Sequence, residues 1–223
     1  MPASSDWIVT TRQALPDFFR LVRRIRPSHH LPDIRAIDDA FVRDHRVEAL
    51  IWDVDGTLMP HHDTSVAPEF LPAFMGLVER PDLLHAILSN SGEERFLELG
   101  RIFPDLRVFK AYRGPSGIAH RLLWQGKERW TGRAPGEEIG DPLRPLKKPS
   151  AELVRLVLEE LGSPAPERTF MVGDQYFTDI AGANLAGIGS IKVPTLDRAG
   201  FPLAVKSFQR VEELLYRLLY GKG

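Results

Sequence analysis

A chain of 223 residues, 43% hydrophobic and 26% charged, is long enough for one substantial core, and its composition excludes a disordered or fibrous polymer. A formal charge of -1 gives no general attraction to nucleic acid, so none is expected as a partner. The absence of cysteine rules out disulfides, thiolate metal sites and a cysteine nucleophile.

No apolar run is long enough to cross a bilayer, and the N-terminus lacks a basic start followed by an apolar signal segment, so a cytoplasmic protein is expected. The first element is "LPDFFRLVRRIRP", where Leu15, Phe18, Phe19, Val22 and Ile25 recur at near-helical spacing between arginines. It reads as a short basic amphipathic helix stopped by Pro27, within a lead-in of residues 1–44. Such a helix packs on a core or holds a protein peripherally at the inner face of a membrane. The following "LPDIRAID" reads as a loop with a short strand or turn.

From residue 45 to 223 the pattern is that of one domain, with strands predicted over 47–52, 83–88, 107–112, 169–173 and 189–194. Helices are predicted over 68–80, 92–103 and 151–162, and a last one carries Phe208, Val211, Leu214, Leu215, Leu218 and Leu219 on one side. Strands alternating with helices imply parallel strands and right-handed crossovers, hence a doubly wound, Rossmann-like α/β sheet. Residues 113–146 are rich in Gly, Pro and Arg with little periodicity, and read as a small insertion or long loop. Its Trp124, Trp130, Arg113, Arg121, Arg129 and Arg133 suit either a clamp on a phosphorylated ligand or the anchoring of a surface loop.

In such a sheet, ligands bind at the carboxyl ends of the strands near the switch in strand order. The polar residues fall there: Asp53 and Asp55 after the first strand, Ser89 and Asn90 after the second, Asp174 and Asp179 after the fourth. Carboxylates converging on one edge repel, and burying them unpaired costs several kcal/mol apiece, so a divalent cation is implied. Oxygen ligands without His or Cys at the same strand ends favour Mg²⁺. Gly56 frees the backbone for a turn whose exposed amides suit phosphate oxygens. His61 and His62 read as polar loop residues close to a substrate.

These residues resemble the haloacid dehalogenase (HAD) superfamily. "DVDGTL", "LSNS", "LKKP" and "VGDQYFTD" are similar to its motifs I to IV, in that order. Taken singly, each also suits a turn or a helix cap; together they are specific. The resemblance implies that Asp53 is a nucleophile forming an aspartyl-phosphate and that Asp55 is the general acid, then the base. It implies that Ser89 and the neighbouring Asn90 amide hold the phosphoryl group while Lys148, the lysine directly before proline, neutralises it. Asp53, the Asp55 carbonyl and Asp174 then bind Mg²⁺, supported by Asp179.

Only about 35 residues separate Asp53 from Ser89, which leaves no room for a large cap there. "GDQYFTDIAGANLAG" further resembles the YqeG-type branch of HAD subfamily IIIA, related to phosphatases of phosphatidylglycerophosphate. That implies a phosphomonoesterase acting on a lipid phosphate at a membrane surface. The alternatives are a phosphatase of a soluble nucleotide or sugar phosphate, or a HAD-like protein that binds a phosphorylated ligand without turnover.

Overall fold

The computed structural model describes residues 21–115, 117–132 and 143–221. Its sheet is built from β1 (His29–His30), β2 (Ala49–Trp52), β3 (Leu84–Leu88), β4 (Arg107–Gly114), β5 (Gly117–Trp124), β6 (Lys127–Thr131), β7 (Arg144–Leu146), β8 (Thr169–Gly173) and β9 (Gly189–Lys192). The order is β1-β9-β8-β2-β3-β4-β5-β6, with β7 paired to β4. All pairings from β1 to β4 are parallel, while β5, β6 and β7 add antiparallel.

The helices are α1 (Asp39–Asp44), α2 (Leu71–Val78), α3 (Glu93–Ile102), α4 (Ala151–Glu160), α5 (Ala181–Ala186) and α6 (Leu203–Tyr220), with a π-helical turn at Tyr176–Ile180. They cover both faces of the sheet, which is why β2, "ALIW", is apolar throughout and fully buried. Leu50 and Trp52 point into one core with Phe74, Leu77, Phe96 and Leu99. Ala49 and Ile51 point into the other, against Leu153, Val154 and Val157 of α4. The expected doubly wound α/β fold is present, and the four central strands lie within two residues of their predicted bounds.

One expectation needs correction, and a second element has an orientation that its periodicity left open. The segment from residue 113 is not simply an insertion or loop: β4 runs to Gly114, and β5 and β6 widen the sheet as hairpins. Gln125 and Gly126 turn β5 into β6 with φ of 51° and 68°, the paired positive dihedrals of a two-residue hairpin. That turn was the missed signal. Arg113 pairs with Glu152, Arg121 with Glu93 and Glu128, and Arg129 with Glu160. Trp124 lies under Arg107 and donates to the Asp105 carbonyl at 3.3 Å, at the edge of the sheet opposite the strand ends that carry the aspartates. These groups are therefore engaged in holding the hairpin, not in a clamp; Arg133 lies outside the described residues.

The second element is α6, whose Phe208 and Leu215 pack against the cluster of Leu21, Ile25 and Phe177. Its buried residues are Gln209 and Glu212, while Val211, Leu214, Leu218 and Leu219 are 49–71% exposed. Polar groups face inward because two of the molecule's own needs are met there. Gln209 donates to Asp174 at 3.1 Å, and Glu212 accepts from the amides of Tyr176 and Phe177. The basic N-terminal helix falls largely outside the described residues. Within them, Leu21 and Ile25 are buried against Tyr176, Phe177 and Ile180. Among the described residues no helix is long and apolar enough to cross a membrane.

Candidate active site

The chain runs from β2 out to β3 and β4 on one side and returns to β8 and β9 on the other. The strand order therefore switches between β2 and β8, where Trp52 pairs with Val172. Asp53 leaves the end of β2 and Asp174 the end of β8, so both stand at that switch. On its other side Trp52 pairs with Ile87, which puts Ser89 at the adjoining strand end.

Oxygens of Asp53, Asp174 and Asp179 lie within 4.8 Å of one another, all three residues buried. Lys148 Nζ sits between them, 2.5 Å from Asp53 Oδ1 and 2.7 Å from Asp179 Oδ1, and is only 2% exposed. The other oxygen of Asp53 accepts from the Thr57 hydroxyl at 3.2 Å. Lys148 in contact and the buried Lys192 nearby still leave three carboxylates with an excess of negative charge. Burial, with Asp179 and Asp174 adding to it and Lys148 opposing, pushes the Asp53 carboxyl up to about 8. Burial and Asp179 push Asp174 up to about 6. Lys148 is held above its ordinary range: burial opposes its charge, but Asp179 and Asp53 outweigh it.

Asp174 Oδ1 is buried with no hydrogen-bond partner, although Thr195 and Gln209 both donate to Oδ2. An unsatisfied carboxylate oxygen in an all-oxygen, charge-rich cluster fits a hard divalent cation. The residues present thus suit Mg²⁺, with Asp53, Asp174 and Asp179 as the carboxylates at hand.

Local sequence explains the placement. Gly173 is required because a Cβ there would lie 2.4 Å from the Asp179 side chain, which folds back over it to accept from the Gln175 amide. Gly56 turns the chain after Asp55 with φ of 91°, and a Cβ would meet Phe201 at 2.8 Å. Ser150 caps α4, accepting from the Leu153 amide at 3.4 Å, and so fixes the loop that delivers Lys148. Lys147, also buried, precedes it; the lysine inside the cluster is Lys148.

Three further sequence candidates surround this cluster. The Asp55 carboxylate is outside the acidic trio, bound by Arg95 at 2.7 Å and by the His62 amide at 3.0 Å. The Asn90 side chain both accepts from and donates to the Lys148 backbone, at 2.7 and 3.0 Å, so it clamps the lysine loop. Ser89 accepts from the Ser91 amide at 3.3 Å and is partly open to solvent. His61 stacks on Phe201 with ring centroids 4.4 Å apart, on the same side as the Gly56 turn.

Arg95, Thr57, Thr195, Gln209 and Phe201 were not singled out from sequence. Arg95 reads as one more charge on the amphipathic α3, and only the packing of α3 against the Asp55 loop buries it to 4% exposure.

Residues 145–196, which carry Lys148, Asp174 and Asp179, match the family model described as HAD-hydrolase-like. The chain is 29% identical over 182 residues to a chloroplastic phosphatidylglycerophosphate phosphatase 1 of Chlamydomonas reinhardtii, covering 82% of this chain and 57% of that one. The chain therefore spans little more than half the length of that curated relative. An uncharacterized protein from Listeria monocytogenes serotype 4b aligns at 18% identity and TM-score 0.40, covering 78% of this chain and 98% of the other. A 4-nitrophenylphosphatase from Thermotoga maritima aligns at 17% and 0.30, covering 73% and 91%.

Proposed function

We propose that this chain, α/β and HAD-like in fold, is a Mg²⁺-dependent phosphomonoesterase that works through a phosphoryl group carried on Asp53, with a lipid phosphate as its substrate class. The observation that carries this reading is the Asp53 carboxylate, held by Lys148 at the strand-order switch beside Asp174 and Asp179.

An Asp53 oxygen attacks phosphorus, and the bond from phosphorus to the ester oxygen breaks. The leaving oxygen takes a proton from Asp55. Water then attacks the aspartyl-phosphate, Asp55 accepts its proton, and inorganic phosphate leaves with Asp53 restored. Lys148 keeps Asp53 oriented and meets the charge of the incoming phosphate, while Ser89 offers a hydroxyl at the neighbouring strand end. A bound Mg²⁺ supplies positive charge against which a carboxylate and a phosphate can approach. The second carboxylate, Asp55, supports turnover over mere ligand binding, because binding needs no proton carrier on the same loop.

The lipid class rests on the likeness to the phosphatidylglycerophosphate phosphatase and on an uncapped stretch between β2 and β3. Purified protein should release phosphate from an aryl phosphate with Mg²⁺, and from phosphatidylglycerophosphate in mixed micelles. Asp53→Asn should abolish both while circular dichroism stays native. Equal rates for wild type and Asp53→Asn across a phosphate panel would sink the enzymatic reading. Turnover confined to soluble phosphates would sink the lipid one.

A further inference from the structure

We infer that the outer face of α6 docks the protein on an anionic lipid bilayer. Along this helix Leu203, Val211, Leu214 and Leu218 fall on one strip, at 78, 49, 57 and 71% exposed. At 1.5 Å per residue the strip runs about 22 Å. Four large apolar side chains in a row on water are a cost that a soluble monomer ordinarily avoids.

Charge selects the occupant. Arg210 and Arg217 are exposed along one border of the strip, at helical positions adjoining Leu203 and Leu214, while the half-buried Lys206 donates to the Ala199 carbonyl at 3.1 Å. Arg210 and Arg217 form no ion pair with any described residue. The two acids of α6 are withdrawn from this face: Glu212 is buried beneath the helix and Glu213 pairs with Arg198. An apolar strip with arginines along one border and no acid on its face suits an interface of anionic headgroups over acyl chains.

The helix that carries the strip also reaches the active site, from its opposite face. Just before α6, Phe201 packs over Gly56 and against His61, and Gln209 on the inner face donates to Asp174. A membrane on the outer face of α6 therefore lies one helix away from the Asp53 cluster, which extends the lipid-phosphate reading above by naming the surface that presents the substrate. The described end of the basic N-terminal segment packs inward instead, with Leu21 and Ile25 against the π-helical turn.

The test is co-sedimentation of the full chain with phosphatidylcholine vesicles and with vesicles of about one-third phosphatidylglycerol. Wild type should pellet with the anionic vesicles and not the neutral ones. Leu214→Asp/Leu218→Asp should weaken binding at least tenfold. Arg210→Gln/Arg217→Gln should weaken it several-fold, with a shallower salt dependence. Both should keep wild-type melting temperature and wild-type turnover of a soluble aryl phosphate.

Equal pelleting of wild type and the Leu214/Leu218 variant overturns the inference. So does a wild-type dimer in sedimentation that this variant dissolves, which would assign the strip to a second copy. Loss of binding on Phe18→Ser/Phe19→Ser, with none on Leu214→Asp/Leu218→Asp, would return the anchor to the N-terminus. Vesicle binding without any turnover would instead sink the phosphatase reading and leave the docking face standing.

Discussion

Lys148→Met isolates the electrostatics at the strand-order switch. Methionine keeps most of the stem's volume, so lost packing contributes less than about 1.5 kcal/mol. What disappears is the ammonium 2.5 Å from Asp53 and 2.7 Å from Asp179, at a residue 2% exposed. Removing one partner of a buried pair costs about 3–5 kcal/mol, and at about 2–4 °C per kcal/mol for a domain of this size, melting should fall by about 6–20 °C. That holds at pH 8 without Mg²⁺. At pH 5 the penalty should shrink to about half, because Asp53 and Asp174, raised to about 8 and about 6, are then mostly protonated. Urea denaturation at both pH values, in chelator, measures it. A loss below about 1 kcal/mol at pH 8, or an equal loss at both, would refute the account of Lys148 as the counter-charge of the cluster.

The metal-free protein should lose stability as pH rises from 6.5 to 8.5. Asp53, and Glu212 pushed to about 8 by burial, keep protons in the native state that the unfolded chain has released, so unfolding gains with pH. About 2 kcal/mol or more should vanish over that window, and saturating Mg²⁺ should flatten the slope when urea curves are compared with and without chelator. His85, lowered to about 4 by burial from an ordinary value of 6.5, acts in the opposite direction at the acid end of this window and offsets about 0.4 kcal/mol of that loss. Arg95→Met should cut aryl-phosphate kcat about ten- to a hundredfold by freeing the Asp55 carboxylate, and cost about 1–3 kcal/mol in melting experiments. Unchanged kcat would mean that Arg95 only packs.

The sequence by itself determined the parts of this protein that depend on short-range pattern. Buried central strands are apolar on both faces, so "ALIW" and "TFMVG" announce themselves, and the residue that follows each is at a strand end whatever else happens. Asp53, Ser89 and Asp174 are legible for that reason, and so is the charge conflict that implies a cation. Lys148 is legible only through its motif, because a lysine before a proline has no local signature.

What only the tertiary structure decided is which side chains face which. Nothing in α3 marks Arg95 as the partner of Asp55, since the two are brought together by helix packing across 40 residues of sequence. Nor does the pattern of α6 reveal its orientation. Its leucines are the apolar face by any periodicity, yet the helix buries Gln209 and Glu212, because the Asp174 carboxylate and the amides of the π-helical turn need polar partners there. Satisfying those buried groups outweighs covering a few leucines, and that balance exists only once β8, the turn and the helix have met.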